Sequence, residues 1–180
     1  MGVREGGPGT APGMTRSEGV GGRARTGVRA ALVSVAALAV AGLVGLGLGQ
    51  PWLFPSLGPT LMVLAETPDQ PAARPRNVLV GHAVGVAAGY LALLVTGSVD
   101  APPVFETGIG PATVVAAALS VALTALVLQL LGTPHPPAGA TTLIVSLGLL
   151  TSPLELATIL LSVALVTLVG TALARFRRAR

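Results

Sequence analysis

The absence of charge from long stretches constrains this chain more than any residue it contains. Residues 30–65, 78–98 and 109–152 hold not one Asp, Glu, Lys or Arg. A run of about twenty such residues is long enough to cross a bilayer as a helix. With 52% of its residues hydrophobic and only 10% charged, the chain reads as an integral membrane protein rather than a soluble domain. It has no cysteine, so disulfide frameworks and thiolate metal sites are out of reach. Every basic residue is an arginine, and most of them sit beside the apolar runs. Orientation in the membrane accounts for that placement, so the lipid bilayer is an expected partner and nucleic acid is not.

In chain order, residues 1–28 are rich in Gly and Arg with little apolar content and are expected to be a disordered arm. Residues 30–48 form a first span. They are longer than the apolar region of a signal peptide, and the following Gln50-Pro51-Trp52 is no small-residue cleavage site, so the span is read as uncleaved. A polar loop ends in Arg74-Pro75-Arg76. The span at 77–96 carries Gly81, Gly85 and Gly89 at every fourth position, a ridge that lets another backbone approach. His82 lies one residue round from it. Residues 97–110 read as a loop with Asp100 and Glu106 and no basic residue. The span at 112–131 has a second small-residue ridge of Ala112, Ala116, Ser120 and Thr124. The last span covers 154–174, and residues 176–180 form a basic tail.

Two stretches break the pattern. Residues 133–142, Thr-Pro-His-Pro-Pro-Ala-Gly-Ala-Thr-Thr, are a polar island between apolar runs. Each proline lacks an N–H and disfavours helix in the residue before it, so an extended entry should give way to a half-helix at Ala138, whose free N–H groups face His135. Residues 51–65 are likewise short and proline-rich. Their Ser56-Leu57-Gly58-Pro59-Thr60 matches Pro137-Ala138-Gly139-Ala140-Thr141, with glycine and threonine two positions apart in both. The glycine follows the start of the preceding span by 28 residues in one half (Ala30 to Gly58) and by 27 in the other (Ala112 to Gly139). The chain therefore reads as an all-α membrane protein, a small helical bundle of two repeats (30–96 and 112–174), each built as helix, broken half-helix, helix.

Topology has two solutions. Re-entrant breaks give four spans. Crossing breaks give three plus three, with both termini and Arg74/Arg76 inside, the arginine-free loop outside, and the repeats inverted, as the positive-inside tendency favours. Six extended residues at about 3.3 Å and nine helical ones at about 1.5 Å reach roughly 33 Å, close to the roughly 30 Å hydrocarbon core.

Irregular backbone inside a bilayer is tolerated only where protein or a watery cavity satisfies it, so two breaks imply a shared polar site. Half-helix N-termini favour an anion. The candidate binding residues are Ser56, Gly58, Thr60, His82, His135, Gly139, Thr141 and Thr142. Glycines would admit a ligand to the backbone, threonines would donate hydroxyls, and the histidines would tune charge or carry a proton. Each also has a plainer reading: Gly-x-Thr as packing, His82 as a donor to a carbonyl, Arg74 and Arg76 as orientation signals.

His135-Pro136-Pro137-Ala138-Gly139-Ala140-Thr141 resembles the signature of the HPP family of small integral membrane proteins. Ser56-Leu57-Gly58-Pro59-Thr60, Arg74-Pro75-Arg76-Asn77 and Gly81-His82 are similar to the family's pattern as well. The likeness implies a transporter, with nitrite as the first substrate to consider because plastid and cyanobacterial members are associated with it. Family descriptions count four spanning helices. Some relatives append a regulatory domain of CBS repeats, which is not expected after Arg180.

The resulting expectation is a carrier or channel for a small monovalent inorganic anion in a bacterial cytoplasmic membrane, with both termini cytoplasmic. A non-transporting scaffold or accessory subunit is the rival. No enzyme is expected, since two histidines without a carboxylate in the spans make neither a triad nor a zinc site. No cofactor or metal is implied, and the glycine ridges leave room for a homo-oligomer.

Overall fold

The computed structural model describes residues 19–176. Among them are seven α-helices, one 3-10 turn and no strand: α1 Val20–Leu48, α2 Leu57–Glu66, the 3-10 turn Pro71–Ala73, α3 Pro75–Val95, α4 Val104–Thr107, α5 Pro111–Leu130, α6 Ala138–Ser146 and α7 Pro153–Phe176. Four of these, α1, α3, α5 and most of α7, are long and apolar enough to cross a membrane. The protein is an all-helical membrane protein. Three of the four long helices begin at a proline, Pro75, Pro111 or Pro153, where the missing N–H is not needed and φ is already helical.

The sequence reading misjudged two places. It ended the arm at residue 28, whereas α1 is helical from Val20. Once a span has nucleated a helix, each further residue is added at little cost, and Arg23, Ala24 and Arg25 are good helix formers. Residues 1–18, the rest of that arm, and 177–180, most of the tail, lie outside the described residues. The loop at 97–110 also contains one short helix, α4.

Both breaks begin where proline forbids continuation. α2 and α6 start after Ser56 and Pro137, both already in helical geometry. The first break turns at Gly49, whose φ of 62° is open to glycine at little cost. The chain then runs back along α1, with a Cβ on Gly45 falling 2.8 Å from the Gln50 carbonyl and one on Gly42 packing on Leu53. α2 ends with Ala65 against Ala30 and Val33 of α1 and Leu173 of α7. Segment 49–66 thus returns the chain to the side from which α1 set out, and α3 starts there.

The second break runs along α3. A Cβ on Gly81 would fall 2.9 Å from the His135 Cβ, one on Gly85 2.8 Å from the Ala138 carbonyl, and one on Gly89 2.8 Å from the Thr142 carbonyl. The ridge expected from the four-residue spacing is the track on which α6 lies. α6 ends beside the loop before α5, where the Val104 N–H donates to the Leu147 carbonyl at 3.2 Å. α2 packs between α1 and α7, α6 between α5 and α3, and α3 touches α7. The outward faces carry exposed apolar side chains such as Leu43, Leu46, Leu126 and Leu130, which suit contact with lipid. Without a hydrophobic drive between helices in lipid, close small-residue packing is what holds such an arrangement together.

Candidate functional site

α3 presents His82 at the place where both broken segments pass. Thr60 reaches it from α2 and Thr141 from α6, while His135 sits in the extended entry to α6, held against Gly81. His82, Thr60, Thr141 and Thr142 are fully buried, and His135 is 1% exposed. Ring centroids of the two histidines lie 5.0 Å apart with the planes tilted by 56°.

The hydrogen-bond partners fix where the protons are. His135 Nδ1 is 2.8 Å from the Ala72 carbonyl, an acceptor only, so Nδ1 carries hydrogen and, in the neutral ring, Nε2 carries a lone pair. Thr60 donates its one hydroxyl hydrogen to the Ser56 carbonyl at 2.8 Å. Its oxygen is then an acceptor for His82 Nε2, 3.0 Å away. That same Nε2–H faces His135 Nε2 at 3.2 Å. Neutral His82 therefore keeps a lone pair on Nδ1, and Thr141 donates its hydroxyl to it at 2.7 Å. The result is one ordered chain, Thr141 to His82 to His135 to Ala72, with every donor pointing the same way.

Thr142 stands outside that chain. It donates to the Ala138 carbonyl at 3.1 Å, so the hydroxyl 2.8 Å away on Thr124 of α5 is the donor to Thr142. Thr124 was read from the sequence only as part of a packing ridge, and its polarity at the end of that ridge was the available signal. The Ala72 carbonyl had none. Ser56 is also fully buried, and its hydroxyl has no hydrogen-bond partner. Asn77 donates to the Pro71 carbonyl at 2.9 Å and so steadies the turn that carries Ala72.

One expectation is corrected by the geometry. The first N–H groups at α6 are not free: those of Ala138, Gly139 and Ala140 turn back onto the carbonyls of His135, Pro136 and Pro137 at 3.0, 3.0 and 3.1 Å. Prolines at 136 and 137 preset helical φ and let the entry tighten into a turn. Gly58 and Gly139 are not among the fully buried cluster, and a Cβ on either would meet nothing within 4 Å. Packing therefore does not require glycine at either place, although each costs helix stability relative to alanine.

A cavity of about 300 Å³ opens beside the cluster, lined by Thr124, Gln129, Pro134, His135 and Gly139 among others. A second, of about 250 Å³, lies at the mouth where α2, α3 and α7 meet, with Asp69, Arg74 and Arg175 on its walls. No group of three or more His, Cys, Asp or Glu capable of holding a metal is present among the described residues.

The family model described as "HPP, transmembrane region" matches residues 21–180. A transmembrane protein of Dictyostelium discoideum is 31% identical over 96 residues, which is 53% of this chain and 30% of that protein. The chain thus aligns with under a third of the length of that relative. No solved structure matches it.

Proposed function

Since the chain belongs to the HPP transmembrane family, we propose that it is a carrier or channel for a small monovalent anion, nitrite first. The observation that carries this reading is the convergence of both broken segments on His82, through Thr60 and Thr141. Buried polar side chains deep in membrane proteins are expensive to keep and serve pathways by default. The positive end of α2 favours negative charge, and the unpartnered Ser56 hydroxyl adds a donor there. Glycine at 58 and 139, where packing does not call for it, leaves the backbone open to a ligand. The cavity beside His135 and Gly139 is the approach to the cluster.

The packing supports a pair of inverted repeats. α1, α2 and α3 correspond to α5, α6 and α7, and the contacts of α2 with α1 and α7 mirror those of α6 with α5 and α3. Both described ends, Arg74 and Arg76 then share one face, which the positive-inside rule assigns to the cytoplasm of a bacterial cell. No catalytic role is proposed.

The test is anion flux into liposomes holding the purified protein, comparing nitrite, nitrate, formate and chloride. Selective flux lowered at least tenfold by Thr141→Val is expected. Folded protein that moves none of them above empty liposomes would favour the rival, an accessory subunit, which should instead copurify with one stable partner.

A further inference from the structure

The ordered chain through the two histidines does more than satisfy buried atoms. From its geometry we infer that the His82–His135 pair takes up one proton together with each anion, so that the loaded protein crosses its working cycle electrically neutral. This rests on the reading of the cluster as the anion path.

The step balances as follows. A proton from hydronium, which leaves as water, arrives at His82 Nδ1, forming an N–H bond there in place of the hydrogen bond from Thr141. The proton on His82 Nε2 passes across the 3.2 Å gap to His135 Nε2. Two N–H bonds form, one N–H bond and one O–H bond of the hydronium donor break, and no electrons are transferred. His135 becomes the imidazolium, donating through Nδ1 to the Ala72 carbonyl and through Nε2 to His82. His82 stays neutral in the other tautomer and donates through Nδ1 to Thr141. The Thr141 hydroxyl hydrogen is thereby released from His82 and becomes a donor on the first turn of α6, where the anion is expected. Only one proton can be added, because a second would set two N–H groups nose to nose between the rings.

Among the described residues, no hydrogen bond joins either histidine to a carboxylate. On α3 the only charged side chain is Arg76, and α5 and α6 have none. α2 carries Glu66 at its last residue, and α7 carries Glu155 and Arg175 near its two ends. Arg74 and Asp69 stand in the loop at the mouth. With no carboxylate among the described residues bonded to the cluster, the anion itself is the partner of the imidazolium. By linkage, anything that strengthens anion binding when the pair is protonated must strengthen proton binding when the anion is present by the same factor.

The chain has two histidines, so protein labelled with ¹⁵N-histidine and held in liposomes shows four ring nitrogens, assigned with the single-histidine variant His82→Gln. At alkaline pH the expected pattern is hydrogen on Nε2 of His82 and on Nδ1 of His135. On acidification, nitrite at about 50 mM should move the appearance of the His135 imidazolium to higher pH by about one unit, which is a tenfold linkage between proton and anion, with His82 switching tautomer. An imidazolium on His82, or a titration indifferent to nitrite, would overturn the proposal. In flux experiments with a pH dye inside the liposomes, and empty liposomes as the background for nitrous acid leaking through lipid, one proton should enter with each nitrite. Nitrite entry without protons would overturn this proposal and leave the transport reading standing. No entry at all would overturn both.

Discussion

Gly85 of α3 lies so close to α6 that a Cβ would sit 2.8 Å from the Ala138 carbonyl and 2.9 Å from Thr142 Oγ1. The backbone there cannot be displaced without moving the half-helix that carries Thr141. Gly85→Ala is therefore expected to lower stability by about 1–3 kcal/mol, the usual range for overpacking. A thermal scan of the detergent-solubilised variant checks it; a midpoint equal to the parent's would mean that α6 does not rest on this ridge.

Gly58→Ala and Gly139→Ala should behave in the opposite way. With nothing within 4 Å of either new Cβ, each is expected to leave stability unchanged or raise it by about 0.5–1 kcal/mol. If an anion approaches the backbone there, nitrite flux falls while the melting midpoint does not. Unchanged flux in both variants would remove these two positions from the path.

The start of α7 is held by a reciprocal cap. Glu155 Oε2 accepts from the N–H groups of Thr151 and Ser152 at 3.1 and 2.9 Å and from the Ser152 hydroxyl at 2.8 Å, while the Glu155 N–H donates to Ser152 Oγ at 3.3 Å. This is a capping box, so Ser152→Ala is expected to cost about 1 kcal/mol. Hydrogen exchange of the first turn of α7 should quicken in the variant; protection equal to the parent's would show the cap to be idle.

Ser162 on α7 donates to the Trp52 carbonyl at 2.6 Å, tying the extended part of the first break to the far half of the bundle. Ser162→Ala leaves that carbonyl without its partner and should cost about 1–2 kcal/mol. Faster proteolysis within residues 49–56 is the expected readout, and cleavage confined to other loops would contradict it.

The breaks were legible in the sequence because proline acts locally. Pro134, Pro136 and Pro137 exclude helix from their own few residues, and α6 begins at Ala138 as that argument requires. The glycine ridge was legible because a four-residue period projects onto one helix face. The hydrogen-bonded chain at His82 was legible only in part. Thr60, Thr141 and His135 stood out as polar residues in apolar company, but the last acceptor is a main-chain oxygen of Ala72, and a carbonyl has no signature in a sequence. Nor did the residues show that the N–H groups of α6 would be consumed by its own entry. That depends on how tightly two adjacent prolines wind the chain. The pairing of α2 with α7 and of α6 with α3 was hidden for another reason. Helices in lipid meet through small residues, and alanine or glycine on one helix does not specify which partner it will meet.

That exchange of helices has a consequence for biosynthesis. α2 leaves the ribosome directly after α1, but one of its two flanking helices is α7, made only after the four helices α3 to α6. Through most of translation the first broken segment has only half of its surroundings, with the Trp52 carbonyl waiting for Ser162. The nascent protein must hold that segment in a provisional state, at the lipid interface or in the care of the insertion machinery, until α7 enters and encloses it.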